Sequence, residues 1–185
     1  GFEAHLDDIA HPALKGIRRV LHVVPDEVSQ SRTFRQNVAK LGGLGLTFDL
    51  CARQDQLGLM PGLIDACPDT QFIVDHCGNP DIAGGDIDTW RKALAPLAER
   101  DNVAVKISGI PAACPPGQAN AATLRPWVET TISLFGWDRC VWGGDWPVCT
   151  LNGTLSSWCA ALDDILAAES PENRQKLFTD NARKI

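Results

Sequence analysis

No run of lysine and arginine occurs in this chain, and no apolar stretch is long enough to span a bilayer. Acidic residues outnumber basic ones, 23 to 17, for a formal net charge of −6 and a pI near 5.1. Nucleic acid and anionic membrane are therefore not expected as partners, and a small molecule is. The opening Gly1-Phe2-Glu3-Ala4-His5, with Asp7 and Asp8 close behind, lacks the basic start and apolar run of a signal peptide. A cytoplasmic location is the default expectation.

The chain also lacks any C-x-x-C pair. Its seven cysteines, at 51, 67, 77, 114, 140, 149 and 159, are odd in number and indicate neither a zinc ribbon nor a disulfide framework. Most have apolar neighbours and read as small core residues of a reducing compartment. Cys77 and Cys149 adjoin the residues singled out below, but no histidine is placed to activate either as a nucleophile. Gly42-Gly43-Leu44-Gly45 precedes a strand-like run instead of following one, so it is not a dinucleotide fingerprint. Neither G-x-x-x-x-G-K-[ST] nor G-x-S-x-G occurs.

What is present is an alternation of two patterns. Hydrophobic residues make up 44% of 185, enough for a core, and no linker divides the chain, so one domain over 1–185 is expected. Strand-like runs lie at 16–24, 44–50, 71–76, 103–108 and 140–145. Helical stretches follow at 27–41, 56–67, 87–100, 123–135 and 155–168. The last of these carries a stripe of Leu155, Trp158, Cys159, Leu162, Ile165 and Leu166. Ser170-Pro171 starts a final helix, docked by Leu177 and Phe178. Strands alternating with single helices predict an α/β fold with a parallel sheet and right-handed crossovers. The Pro/Ala-rich segment 111–122 follows a strand end and reads equally as a lid or as a surface loop.

Two motifs stand out: Phe72-Ile73-Val74-Asp75-His76-Cys77-Gly78 and Val141-Trp142-Gly143-Gly144-Asp145-Trp146-Pro147. Each is a short apolar strand ending at a polar group and a glycine turn. Parallel α/β enzymes place their chemistry at the C-terminal ends of strands, which makes His76 and Asp145 the candidate catalytic pair. Alternation along the first strand puts Arg18, Val20 and His22 on one face. A buried arginine needs an anionic partner, either a substrate carboxylate or a structural carboxylate. Lys106, opposite the apolar face of Val103, Val105 and Ile107, reaches toward the same pocket. Gly143 leaves room for a ligand or a close backbone. Trp146 is either a pocket wall or a packed core residue, the second being the safer reading.

These strings, with Gly16-Ile17-Arg18-Arg19-Val20-Leu21-His22, Phe48-Asp49-Leu50-Cys51, Lys106-Ile107-Ser108-Gly109 and the closing Asn181-Ala182-Arg183-Lys184-Ile185, resemble the amidohydrolase-related metal-dependent hydrolases. Within them the likeness is to fuconolactonase and pyrone-dicarboxylate lactonase types. The resemblance implies a (β/α)₈ TIM barrel, of which this chain looks like strands four to eight with their helices. It implies Asp145 as general base on water, His76 as a polarising or metal-binding group, and Arg18 as a holder of an anionic substrate group. His22, Lys106 and Trp146 complete the expected substrate contacts. A divalent metal such as zinc is implied at His76 and Asp145, but this chain has no His-x-His and two ligands are few, so metal-independent action is the other expectation. Five strands cannot close a barrel, and open sheet edges are expected to pair with another copy. The expected reaction is lactone opening. Its rivals are metal-dependent decarboxylation and an inactive truncated barrel.

Overall fold

The computed structural model describes residues 1–185. Its centre is one five-stranded parallel sheet in the order β1-β2-β3-β4-β5, with β1 Gly16–Val20, β2 Thr47–Cys51, β3 Phe72–Val74, β4 Val103–Ile107 and β5 Cys140–Trp142. Strands consecutive in sequence are neighbours in space, and β1 and β5 form the two edges. This is the parallel arrangement of a (β/α) barrel, built for five of its strands. No helix is long and apolar enough to cross a membrane.

Side-chain alternation divides the sheet into two faces. Phe48, Leu50, Phe72, Val74, Val103, Val105, Ile107 and Cys140 are buried and join the hydrophobic core with the helices. The other face carries the charged Arg18, Asp49 and Lys106 among the apolar Ile73, Ala104 and Val141. Arg18 pairs in register with Asp49, Asp49 with Ile73, and Ile73 with Ala104, while Lys106 pairs with Val141. The face expected for Lys106 is the one observed.

The helices are α1 Phe2–Asp8, α2 Glu27–Gln30, α3 Arg32–Gly43, α4 Met60–Asp65, α5 Ile87–Ala98, α6 Ala121–Phe135, α7 Leu155–Ile165, α8 Pro171–Gln175 and α9 Asn181–Lys184. Most starts follow from side-chain caps. Ser31, Asp86, Asn120, Thr154 and Ser170 each accept a backbone N–H from three residues on. Ser31 also explains one difference from expectation. The helix predicted over 27–41 is two helices, because the Ser31 backbone is extended (φ −67°, ψ 142°) and caps the second. The strands are shorter than predicted. β1 ends at Val20 and Leu21–Val23 form a 3-10 turn, so His22 leaves the sheet. The stretch that reads equally as a lid or a surface loop is anchored at its start: Ile110, Pro111 and Cys114 are buried, and Asn152 donates to the Ala112 and Cys114 carbonyls. Beyond α8 a π-helical turn, Lys176–Asp180, leads into α9. Leu177 docks as expected, whereas Phe178 stays partly exposed beside Trp142 at 5.8 Å.

Candidate active site

His76 and Asp145 are 69 positions apart in sequence, and the sheet brings His76 Nε2 to 3.8 Å from Asp145 Oδ1. Neither lies on a strand proper. His76, Cys77, Gly78 and Asn79 are four successive residues at positive φ, and Asp145 is a fifth at 50°. For a non-glycine residue this backbone costs about 1–2 kcal/mol, so neighbouring contacts must hold it. They do: Trp90 Nε1 donates to the Cys77 carbonyl at 2.8 Å, and Asn79 Nδ2 to that of Ala52 at 2.7 Å. Strain fixed in this way gathers at functional sites.

The imidazole is held from two sides. Its Nδ1 is 2.9 Å from Ser108 Oγ, at the end of β4. Gly109 follows at φ 68°, where a Cβ would come within 2.5 Å of His76 Cγ, so only glycine lets the ring lie there. Burial pushes the His76 pKa below its ordinary 6.5. Asp75 and Asp145 pull the other way, but burial, helped by the nearby Arg18 and Lys106 charges, outweighs them, so the ring is neutral at pH 7.

Arg18 and Lys106 lie on the face opposite the core as expected, but both are tied to carboxylates of the chain itself. Lys106 Nζ donates to Asp49 Oδ2 at 2.6 Å and to Asp75 Oδ1 at 2.9 Å. Arg18 Nη2 donates to the same two atoms at 3.1 and 3.2 Å, and its Nε lies 2.9 Å from Asp75 Oδ2. That last contact is ionic without a well-aimed N–H, so the buried Oδ2 accepts no hydrogen bond. Burial works against the Arg18 charge, and Asp75 and Asp49 outweigh it, raising its pKa.

The sequence reading passed over Asp49, Asp75, Ser108 and Cys51. A signal existed for Asp49: an aspartate alternating with Phe48 and Leu50 must face away from the core. Asp75 directly follows the apolar run of Phe72–Val74 and is itself fully buried. Of the other expected contacts, His22 sits in its 3-10 turn with Nδ1 3.4 Å from Cys51 Sγ. Trp146 is 71% exposed. It is therefore no core tryptophan. Gly143 serves a close approach, to Ser108 Cβ. Cys77 and Cys149 are fully buried, and burial pushes the Cys77 thiol up to about 11, so neither is placed as a nucleophile.

A family model described as amidohydrolase matches residues 2–185. The chain belongs to the amidohydrolase family. It is 27% identical over 178 residues to an L-fucono-1,5-lactonase of Burkholderia ambifaria, covering 92% of this chain and 60% of that protein. It is 30% identical over 130 residues to a 2-pyrone-4,6-dicarboxylate hydrolase of Comamonas testosteroni, covering 63% of this chain and 41% of that one. It thus spans roughly half the length of these curated relatives. A crystal structure of an amidohydrolase from Burkholderia multivorans with bound zinc superposes with a TM-score of 0.93 at 22% identity, over 98% of this chain and 67% of that one. That likeness establishes the shared fold.

Zinc in that structure prompts the question whether this chain's residues suit a metal. Cys51, Asp75 and His76 place ligand atoms within 4.8 Å of one another, and three protein ligands are the number an open catalytic zinc site uses. Asp145 is outside that set. The surroundings oppose a dication, however. Both Asp75 oxygens already face Arg18 or Lys106, and burial, with Asp75 adding to it, pushes the Cys51 thiol up to about 11. The cluster does not fit a resident metal, and no step below runs through one.

Proposed function

We propose that the chain hydrolyses a lactone, with Asp145 as general base and His76 as the group that receives the oxyanion. The observation that carries this reading is the convergence of a carboxylate and a neutral imidazole, 3.8 Å apart, at the ends of two parallel strands and on strained backbone. One water oxygen within about 2.8 Å of both atoms fits that separation. The water gives a proton to the Asp145 carboxylate as its oxygen bonds to the lactone carbonyl carbon. With the Ser108 hydroxyl, 2.9 Å from Nδ1, assigned as the donor, the imidazole N–H is on Nε2 to hydrogen-bond the developing oxyanion. Collapse breaks the ring C–O bond. The leaving alkoxide takes the proton from Asp145, and the product is the open hydroxy acid. His22 and Trp146 are proposed to border the bound ring.

The lactonase names among the relatives support the choice of a cyclic ester. Asp145→Asn keeps size and removes the base, so turnover on a lactone panel should fall about 10²–10⁴-fold while the melting temperature holds. A variant that retains wild-type turnover would sink the mechanism.

A further inference from the structure

Asp145 lies beyond the support of its own strand. The register of β5 with β4 ends at Trp142 opposite Ile107, and the Gly143 N–H donates to the Ile107 carbonyl at 3.1 Å. Trp158 Nε1 holds the Gly143 carbonyl at 3.1 Å, which steadies the strand end but not the turn past it. From Gly144 to Asn152 no backbone group bonds to another segment. Burial holds little of this stretch either. Cys149 is its one buried side chain, while Trp146 and Leu151 are exposed. Yet Asp145 keeps a φ of 50°, a conformation that persists only where surrounding contacts over-determine it.

Asn152 supplies those contacts. Its Nδ2 donates to the Ala112 carbonyl at 2.9 Å and to the Cys114 carbonyl at 2.8 Å, which uses both amide protons. Both partners are acceptors, so the nitrogen, not the oxygen, is assigned to that side. These are the only hydrogen bonds that leave the 144–152 stretch. Within it, the Cys149 N–H donates back to the Asp145 carbonyl at 2.9 Å. On the far side, Ala112 belongs to the 3-10 turn Ile110–Ala113, which opens at Gly109. Gly109 lies against the His76 ring, and Ser108 Oγ is 2.9 Å from its Nδ1. One amide thus fastens the turn that carries Asp145 to the turn that seats His76.

Resting on the lactonase reading, with Asp145 as its base, we infer that Asn152 is a positioning residue. Its paired hydrogen bonds latch the two turns together and so set the 3.8 Å spacing of Asp145 and His76. Asn152 acts through Asp145 and takes no part in proton transfer.

Amide hydrogen exchange and steady-state kinetics of Asn152→Ala test this. Losing two neutral hydrogen bonds should speed exchange of the Cys149 amide roughly tenfold, while the Val105 amide in β4 keeps its rate. On the lactone that the wild type opens fastest, kcat should fall about tenfold to a hundredfold with KM within about twofold, since a misplaced base costs chemistry and not binding. Equal acceleration of both amides would mean a purely structural role and overturns the inference, as does an unchanged kcat. Asn152→Asp, the same size without a donor, is read in the same way should the alanine variant not fold. A wild-type Cys149 amide that exchanges at the unprotected rate overturns the inference outright. If the wild type opens no lactone while the Cys149 amide alone speeds up in the variant, the lactonase reading falls and the latch stands.

Discussion

Replacing Asp75 by asparagine changes almost nothing in volume and removes one charge from the framework under the site. Asp75 is fully buried, with Lys106 Nζ at 2.9 Å and Arg18 Nε at 2.9 Å. Removing one partner of a buried ion pair typically costs about 3–5 kcal/mol. Two features reduce the figure here. Arg18 is 43% exposed on its side chain, so water re-solvates it and its share is discounted. Lys106 keeps Asp49 at 2.6 Å. About 2–3 kcal/mol remains. With a urea slope of roughly 2 kcal/mol/M, the unfolding midpoint should fall by about 1–1.5 M. A double-mutant cycle with Lys106→Met isolates the pair: the two losses should fall short of additivity by about 1–2 kcal/mol, since the second substitution removes a charge the first has left with Asp49 alone. A midpoint shift under about 0.3 M, or simple additivity, would refute the claim that Asp75 anchors both cations.

Gly109→Ala should be more damaging than an alanine at an ordinary turn. The backbone at φ 68° penalises the side chain by about 1–2 kcal/mol, and the new Cβ would sit 2.5 Å from His76 Cγ, so the ring must move. Loss of turnover with the fold retained by circular dichroism is expected, and unchanged turnover would contradict the ring's proposed role. The response to alkali follows from the buried thiols. Cys77 is pushed from 9.0 up to about 11 in the folded chain, and Cys51 and Cys114 likewise. The folded state favours the neutral thiol, so stability is complete below pH 9 and is lost as pH rises from 9 toward 11. For Cys77 alone the loss is on the order of 2 kcal/mol, and urea midpoints in Cys77→Ala should decline less steeply over that range. His76 acts at the acid end. Its pKa is lowered when folded, so its contribution is intact above about 6.5 and is lost as pH falls further. A midpoint that rises on acidification below pH 6.5 in the wild type, relative to His76→Gln, would be the wrong sign.

Local patterns were enough to read the architecture. Apolar runs of strand length alternating with helical stripes specify βα units, and chirality leaves a parallel sheet as their packing. The placement of His76 and Asp145 just beyond the ends of β3 and β5 was legible for the same reason, because where a buried strand stops is a local property. Even the face of Lys106 could be read, because side chains alternate along a strand whatever surrounds it. Helix and strand limits were less legible where a cap or turn intervened, as at Ser31 and Leu21–Val23. For Arg18 the sequence left two partners open, a substrate carboxylate or one of the chain's own, and for Lys106 it gave only the face. Whether a cation on that face meets a substrate or a carboxylate of its own chain depends on register between strands, here Arg18 opposite Asp49. Asp49 comes from β2 and Asp75 from the turn just after β3, 31 and 57 residues away from Arg18. Charge pairing acts through space over a few ångströms. Only the assembled sheet decides which charges are left free, and here it leaves Asp145.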